Sequence, residues 1–308
     1  MKPGTPTFEQ LSVFVAVAEE GSFAGAAKRL GRAVSVISYA VLNLETQLGF
    51  KLFERHNTRK PVITSAGRAV LLEARSIARG FDNLHAKTKG LLDGLEAEVN
   101  LAIDVMLPCT RIGPTLRSFR AQFPTVSLCL QVEALGAVTA MVLARDAVIG
   151  VSGPLAAGVE GIDHVMAGSV PMVPVASPDH PLARAQKILP GEAREHTQLV
   201  LSDRSGRTRG RDFAVVGAHV WRLGDIGAKH ALLRDGVGWG NMPLPLIERD
   251  LRDGSLFRLA IPDHPGGTYR FSAIWRRDTP PGPAASWLLD QFVELGRDDA
   301  PLPGFVDL

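Results

Sequence analysis

Apolar residues near the start of the chain recur every three or four places, the period of a helix with one buried side. Phe8, Leu11, Phe14 or Val15, and Ala18 form the first such series, predicting a helix from about Phe8 to Glu20. Thr7 stands where its N-cap belongs, and Gln10 three residues on fits a capping box. Ser22 can cap the next helix, whose stripe is Phe23, Ala26, Ala27 and Leu30. The paired alanines let another helix cross close to the backbone. That third helix, about Val34–Leu48, has Val34, Ile37, Val41, Leu44 and Leu48 on its apolar side. Two short helices around a tight Gly31 turn read as helix-turn-helix, with a generic helical hairpin as the plainer alternative.

The pattern then shortens. Residues 50–63 suggest a strand ending near Phe53, a turn at His56-Asn57-Thr58 and a return strand through Val62-Ile63, together a wing. Thr64 caps a long helix to about Leu95, with Ala66, Ala69, Val70, Ile77, Phe81, Leu84, Leu91 and Leu92 as its apolar positions. A lone helix of that length cannot bury its own apolar face, so a second copy is expected against it.

From Glu98 the period changes to two: Val99, Leu101, Ile103 and Val105 alternate with Asn100, Ala102 and Asp104, a strand stopping at Leu107-Pro108. A helix (Cys109–Phe123), a strand (Val126–Glu133), a helix (Ala137–Arg145) and a strand (Val148–Ser152) follow. This is a βαβαβ run with a parallel sheet and right-handed crossovers. A second such run has strands at Gln198–Ser202, His219–Leu223, Val237–Asn241, Ser255–Leu259 and Phe271–Trp275. Its helices are Ile226–Arg234, Pro245–Arg252 and Ala284–Leu295, the last with Trp287, Leu288 and Phe292 inward.

The head carries many anchors in fixed order: Ser22-Phe23, Ala26-Ala27, a Ser in the third helix, Leu44-Glu45, Leu48-Gly49, Leu52-Phe53-Glu54-Arg55, and Thr64 with Gly67. Together these resemble the winged helix-turn-helix signature of the LysR-type transcriptional regulators. The rest agrees: Phe119-Arg120-Ala121-Gln122-Phe123-Pro124, the glycine-rich Gly236–Pro243, Gly254-Ser255-Leu256 and Gly282-Pro283-Ala284 look like motifs of the same family. The resemblance spans roughly residues 7–297. It implies an N-terminal winged helix-turn-helix, mainly α, over 1–63 and a linker and dimerisation helix over 64–95. An effector domain of the type 2 periplasmic-binding-protein kind follows over 96–308. Its two α/β lobes are about 96–166 with 271–297, and about 167–270, joined by strands near Met166–Pro171 and Tyr269–Ser272; residues from 298 form a loose tail. The implied function is ligand-controlled transcription regulation. A homodimer or homotetramer would bind an interrupted palindrome in double-stranded DNA and respond to a small-molecule effector, with RNA polymerase as a further candidate partner.

Two departures from the family pattern matter. The family often opens its recognition helix with Gln and Pro or Ser and follows the Ser with Arg or Lys, whereas this chain has Val34, Ser35 and Tyr39. Guanine reading by a bidentate Arg is unavailable at position 39, so more shape and apolar readout is expected. The second is Arg145–Val148, where the family commonly has Gly-x-x-Asp.

Composition adds bounds. At 308 residues, 45% hydrophobic, the chain is long enough for two or three domains with full cores. No apolar run approaches a membrane span, and the acidic, face-alternating start is unlike a secretory signal, so a soluble cytoplasmic protein without membrane partners is expected. The net charge of +2 is uninformative, but residues 1–60 hold eight basic against five acidic side chains, mostly at the helix turn and wing. The expected DNA contacts are Arg32, Ser35, Ser38, Tyr39 and Asn43 around the recognition helix, with Arg55, Arg59 and Lys60 on the wing.

Ligands of open α/β sheets bind beyond the carboxyl ends of strands, where helix N-termini offer N–H groups. That singles out Pro108, Cys109 and Thr110, Leu135 and Gly136, Ser152 and Gly153, Ser202 and Arg204, and Gly224–Ile226 with Asp225. The set is rich in hydroxyls and backbone donors and suits a small, anionic organic effector. Cys109 at a helix start also invites a redox reading, since such positions favour thiolates; Cys129, mid-strand, is expected in the core. The histidines show no paired ligand spacing, so no metal and no cofactor is expected. An enzyme on α/β lobes is the rival class, and neither a Gly-x-Ser-x-Gly elbow nor a P-loop supports it. No catalytic residue is assigned.

Overall fold

A computed structural model describes residues 4–54, 60–92, 94–156, 158–202, 205–207 and 214–297. The chain divides into two units, Met1–Gly90 and Leu91–Leu308.

In the first unit, α1 (Phe8–Glu20), α2 (Phe23–Leu30) and α3 (Val34–Leu48) pack around the fully buried Phe14, Ile37 and Leu44, with Ala26 and Ala27 at the crossing. Thr7 and Gln10 exchange the two bonds of a capping box, and Ser22 Oγ accepts from Gly25 N at 3.0 Å. Gly31 closes α2 at φ +63°, a conformation glycine adopts without steric cost. A short hairpin follows, β1 (Phe53–Glu54) antiparallel to β2 (Val62–Ile63). The Phe53 ring meets Phe14 and Phe23 edge-on at 5.4 and 5.9 Å, which seats the hairpin on the helices.

Glu45 joins recognition helix to wing. Though buried, its carboxylate accepts from Leu52 N (2.9 Å), Phe53 N (3.2 Å) and Lys51 Nζ (2.8 Å), so the chain leaving α3 is held at three points. The final helix, α4 (Ser65–Leu92), is capped by Thr64, whose hydroxyl accepts from Gly67 N and donates to the Lys51 carbonyl, both at 2.8 Å. Gly67 is required here: a Cβ would stand 2.3 Å from the Leu52 carbonyl oxygen. Along α4, Leu72, Ile77, Leu84, Leu91 and Leu92 are exposed. The helix ends before the expected Leu95, because Gly94 turns at φ +81° and Leu95 packs into the core of the second unit.

The second unit begins β3 (Glu98–Asp104), α5 (Cys109–Gln122), β4 (Ser127–Glu133), α6 (Gly136–Ala144), β5 (Ile149–Ser152). It continues with β6 (Ile162–Ala176), α7 (Pro181–Arg184), β7 (Gln198–Leu201), β8 (Val220–Leu223), α8 (Ile226–Arg234) and β9 (Trp239–Pro243). The last elements are α9 (Leu244–Asp253), β10 (Phe257–Arg258), β11 (Gly267–Arg276) and α10 (Pro283–Arg297). The sheet runs β4-β3-β5-β11-β6-β9-β7-β8, with β10 on β6. Two parallel halves result: β4, β3 and β5 in one, β9, β7 and β8 in the other. Between them run β6 and β11, antiparallel over most of their length, with a register shift between Arg270 and Ser272. These joining strands extend well past the segments expected from sequence, and α7 was not expected at all. An aromatic trio, Phe119, Phe123 and Trp287, packs α5 on α10, and Glu96 caps α10 by accepting from Ala284 N and Ala285 N.

Asp104 and Ala102, which alternate with the apolar residues of β3, are fully buried as well, because helices cover both faces of a parallel sheet. Cys129 is half-buried rather than core, since β4 is an edge strand. At Arg145 the chain takes the left-handed turn that glycine would favour (φ +71°), and the side chain pairs with Asp278 at 3.7 Å. The expected loose tail lies outside the described residues.

Candidate functional site

The outward side of α3 carries Ser35, exposed, Ser38 and Asn43, half-buried, and Tyr39 at 66% exposure, flanked by exposed Val34, Val36 and Leu42. Hydroxyls, one amide and methyl groups are what this surface offers. Ala33 gives no side-chain cap, so the first turn of α3 has N–H groups without a side-chain acceptor. Arg32 is exposed and within 3.3 Å of Glu9; Lys60 is exposed at the end of the wing. Arg55 and Arg59 lie outside the described residues.

In the second unit a cavity of about 200 Å³ opens between the two halves. Met106, Leu135, Pro154 and Leu155 wall it from the first half. Leu199, Val200 and Leu201 face them from the second, and Met172 and Tyr269 from the joining strands. Gln198, Lys229 and Asn241 supply most of the polar edge.

Just behind the first wall lies Asp104. It accepts from Met106 N (2.9 Å) and the Tyr269 hydroxyl (2.8 Å), and the N–H groups of Leu135 and Gly153 also stabilise its charge. Burial nevertheless pushes its pKa up to about 6. Burial and the adjacent Asp104 push the Tyr269 hydroxyl well above its ordinary value. Two backbone features make this cluster. Leu135 stands at φ 52° and ψ −120°, a conformation costly for a branched side chain, and Gly153 admits no Cβ, which would fall 2.0 Å from Tyr269 Oη.

Lys229 occupies the other side. It is 3% exposed, and its ammonium donates to the Asn241 carbonyl at 2.7 Å. No carboxylate among the described residues pairs with it, and burial pulls its pKa down to about 8. Asn241 Nδ2 meets His264 Nε2 at 2.7 Å, and burial lowers the pKa of that imidazole. Gln198 is held by its own half: it accepts from Val216 N and Gly217 N and donates one N–H to the Ala214 carbonyl, all at 2.9 Å.

Known proteins match along most of the chain. A family profile described as LysR substrate binding domain covers residues 92–297, and one described as bacterial regulatory helix-turn-helix protein, lysR family, covers 8–68. The chain belongs to the LysR family. It is 28% identical over 299 residues to the probable HTH-type transcriptional regulator YhaJ of Escherichia coli K12, covering 94% of this chain and 96% of that one. The HTH-type transcriptional activator AllS of Klebsiella pneumoniae is 30% identical over 265 residues, covering 82% and 97%. Among solved structures, full-length LysG of Corynebacterium glutamicum matches with TM-score 0.51 at 22% identity, covering 96% of this chain and all of that one. CrgA of Neisseria meningitidis matches with TM-score 0.50 at 22% identity, covering 95% and 100%. This LysR-type protein is thus a ligand-responsive DNA-binding transcriptional regulator.

Within this LysR-type fold the residues singled out from sequence for the ligand are differently placed. Cys109 and Thr110 are exposed on the first turn of α5, while Pro108 and Gly136 are buried beside the cavity wall without lining it. Ser152 is fully buried against Thr139 at 3.1 Å, and Ser202 Oγ donates to the Leu223 carbonyl at 3.4 Å. Asp225 caps α8, accepting from Ala228 N at 2.6 Å. Arg204 lies outside the described residues. The residues sequence reasoning missed are Asp104, Lys229, Asn241 and Tyr269. Lys229 had left a trace: it falls between Ile226 and Leu233 on the stripe that α8 buries. Among the described residues no cluster fit for a metal ion occurs, and no helix is long and apolar enough to cross a membrane.

Proposed function

We propose that the cavity between the halves is the effector site of this regulator, and that the outward side of α3 with the wing reads DNA. The observation that carries this is a mostly apolar cavity whose walls come from two halves joined by two strands, where a ligand touching both walls favours one relative placement of them. The effector is a small organic anion. Ser35, Ser38, Tyr39 and Asn43 face bases, and Arg32, Arg55, Arg59 and Lys60 neutralise phosphates. The exposed apolar residues of α4 support assembly through residues 64–95 into a homodimer or homotetramer, acting in the cytoplasm with RNA polymerase as the downstream contact. The protein regulates rather than catalyses.

The test is a titration of the full-length protein on operator DNA at several salt concentrations. Affinity should fall with a log–log slope of about −0.9 per phosphate contacted, and Lys60→Ala should make that slope shallower. Tyr39→Ala should reorder the preferred sequences. Leu84→Asp should shift the protein toward monomer in light scattering and weaken operator binding by about tenfold or more, because two half-sites are no longer held by one particle. A flat salt response, or a wild type strictly monomeric at micromolar concentration, overturns the reading.

A further inference from the structure

The two sides of the cavity treat charge in opposite ways. In an open α/β lobe, the N–H groups past the carboxyl ends of the strands are the usual receptors for a ligand anion. Here the turns after β3, β4 and β5 all deliver such groups, from Met106, Leu135 and Gly153, and all converge on Asp104. The Tyr269 hydroxyl adds a fourth donor from the joining strand. The carboxylate is fully buried, so nothing in the cavity reaches it or displaces it. The first wall, as a ligand meets it, is therefore Met106, Leu135, Pro154 and Leu155: apolar, with its donors already satisfied from behind.

The second wall has the complementary defect. An ammonium has three donors, and among the described residues Lys229 uses one, on the Asn241 carbonyl. A buried charge without a counter-charge is unfavourable, and a ligand carboxylate is the simplest group that supplies one. Size narrows the class further. An apolar cavity of about 150 Å³ accepts a benzene ring, and this one measures about 200 Å³. A single ring or a short branched chain fills it with one charged group to spare.

We infer that Asp104 is a built-in anion filling the receptor of the first half, and that Lys229 is the effector's charge partner, so the effector is a compact apolar monocarboxylate. Dicarboxylates, zwitterions and phosphate esters are disfavoured, since the described residues lining the cavity opposite Lys229 are apolar. This deepens the effector-site reading above and rests on it.

The experiment is calorimetric titration of the full-length protein with benzoate, cyclohexanecarboxylate, benzamide and terephthalate. Benzoate and cyclohexanecarboxylate should bind at least tenfold more tightly than the isosteric, uncharged benzamide. Terephthalate, with its second carboxylate directed at the first wall, should bind at least tenfold more weakly than benzoate. In Lys229→Met the benzoate-to-benzamide ratio should fall to about one, and Lys229→Gln repeats the test with a polar side chain. Leu199→Trp, which fills the cavity, should abolish all binding. Terephthalate binding as well as benzoate, or a carboxylate preference surviving both Lys229 variants, overturns the inference and leaves the cavity as effector site. Probes that bind regardless of Leu199→Trp, or no binding by any probe at millimolar concentration, overturn both.

Discussion

Compare Glu45 in the head with Lys229 in the effector unit. Both are charged side chains buried almost completely, at 6% and 3% exposure. Glu45 has three donors on its two oxygens, two of them backbone N–H groups of the wing, and so acts as a fastener between α3 and β1. Lys229 has a single carbonyl and no counter-charge among the described residues. The difference is that a satisfied buried charge fixes a shape, whereas an unsatisfied one stores a demand that a binding partner can meet. The head presents a preformed surface and can afford no loose ends; the cleft is built around one.

Substitutions can break this comparison from either side. The largest effect expected is at Lys229→Met. With its pKa lowered from 10.5 to about 8, Lys229 disfavours the folded state by about 3 kcal/mol wherever it is protonated in both states. The unfolded chain binds more protons between those two values, so wild-type stability should rise with pH from about 8 to 10.5. Lys229→Met should therefore stabilise the effector unit at neutral pH and flatten that rise. Urea midpoints across this pH window measure both, and a destabilised Met variant would show that Lys229 is a structural anchor.

Glu45→Ala should act in the reverse sense. It leaves the Leu52 and Phe53 N–H groups without their acceptor, at a cost of about 2 kcal/mol to the head. Denaturation of the head, followed alongside operator affinity, should show both falling together. Unchanged stability would mean that water replaces the carboxylate and that the wing is held by the Phe53 contacts alone.

The smallest effect is expected away from both sites. Arg145→Gly relieves a left-handed residue, and its surface pairing with Asp278 is worth little, so a gain of about 0.5–1 kcal/mol in thermal unfolding is expected. A loss would show that the Asp278 contact matters more than the turn.

These contrasts also explain what was readable in the sequence. The head was legible because its buried faces repeat at a local period and its caps, Thr7, Ser22 and Thr64, sit beside the helices they close. The α/β order of the second unit was legible for the same reason. The cleft was not. Its central pairing joins Asp104 to Tyr269 across 165 positions, and Lys229 meets the cavity only after β7 and β9 are laid side by side. The hydroxyls that looked available were already satisfied nearby: Ser152 by Thr139, Ser202 by Leu223, and the Asp225 carboxylate by α8 itself. Local chemistry nominated turns that border the cavity but few of the side chains that line it.

The register shift in β11 gives the effector unit a mechanical character. Two long strands, β6 and β11, act as straps between its halves, and a pair of hydrogen-bonded straps resists stretching far more than twisting. The irregularity between Arg270 and Ser272 interrupts the ladder one step from Tyr269, whose hydroxyl is fastened to Asp104. That interruption thus lies next to a clamp on one half, while Lys229 belongs to the other. Twisting at that interruption would turn one half against the other about the Tyr269 clamp, changing the angle between them more than their distance.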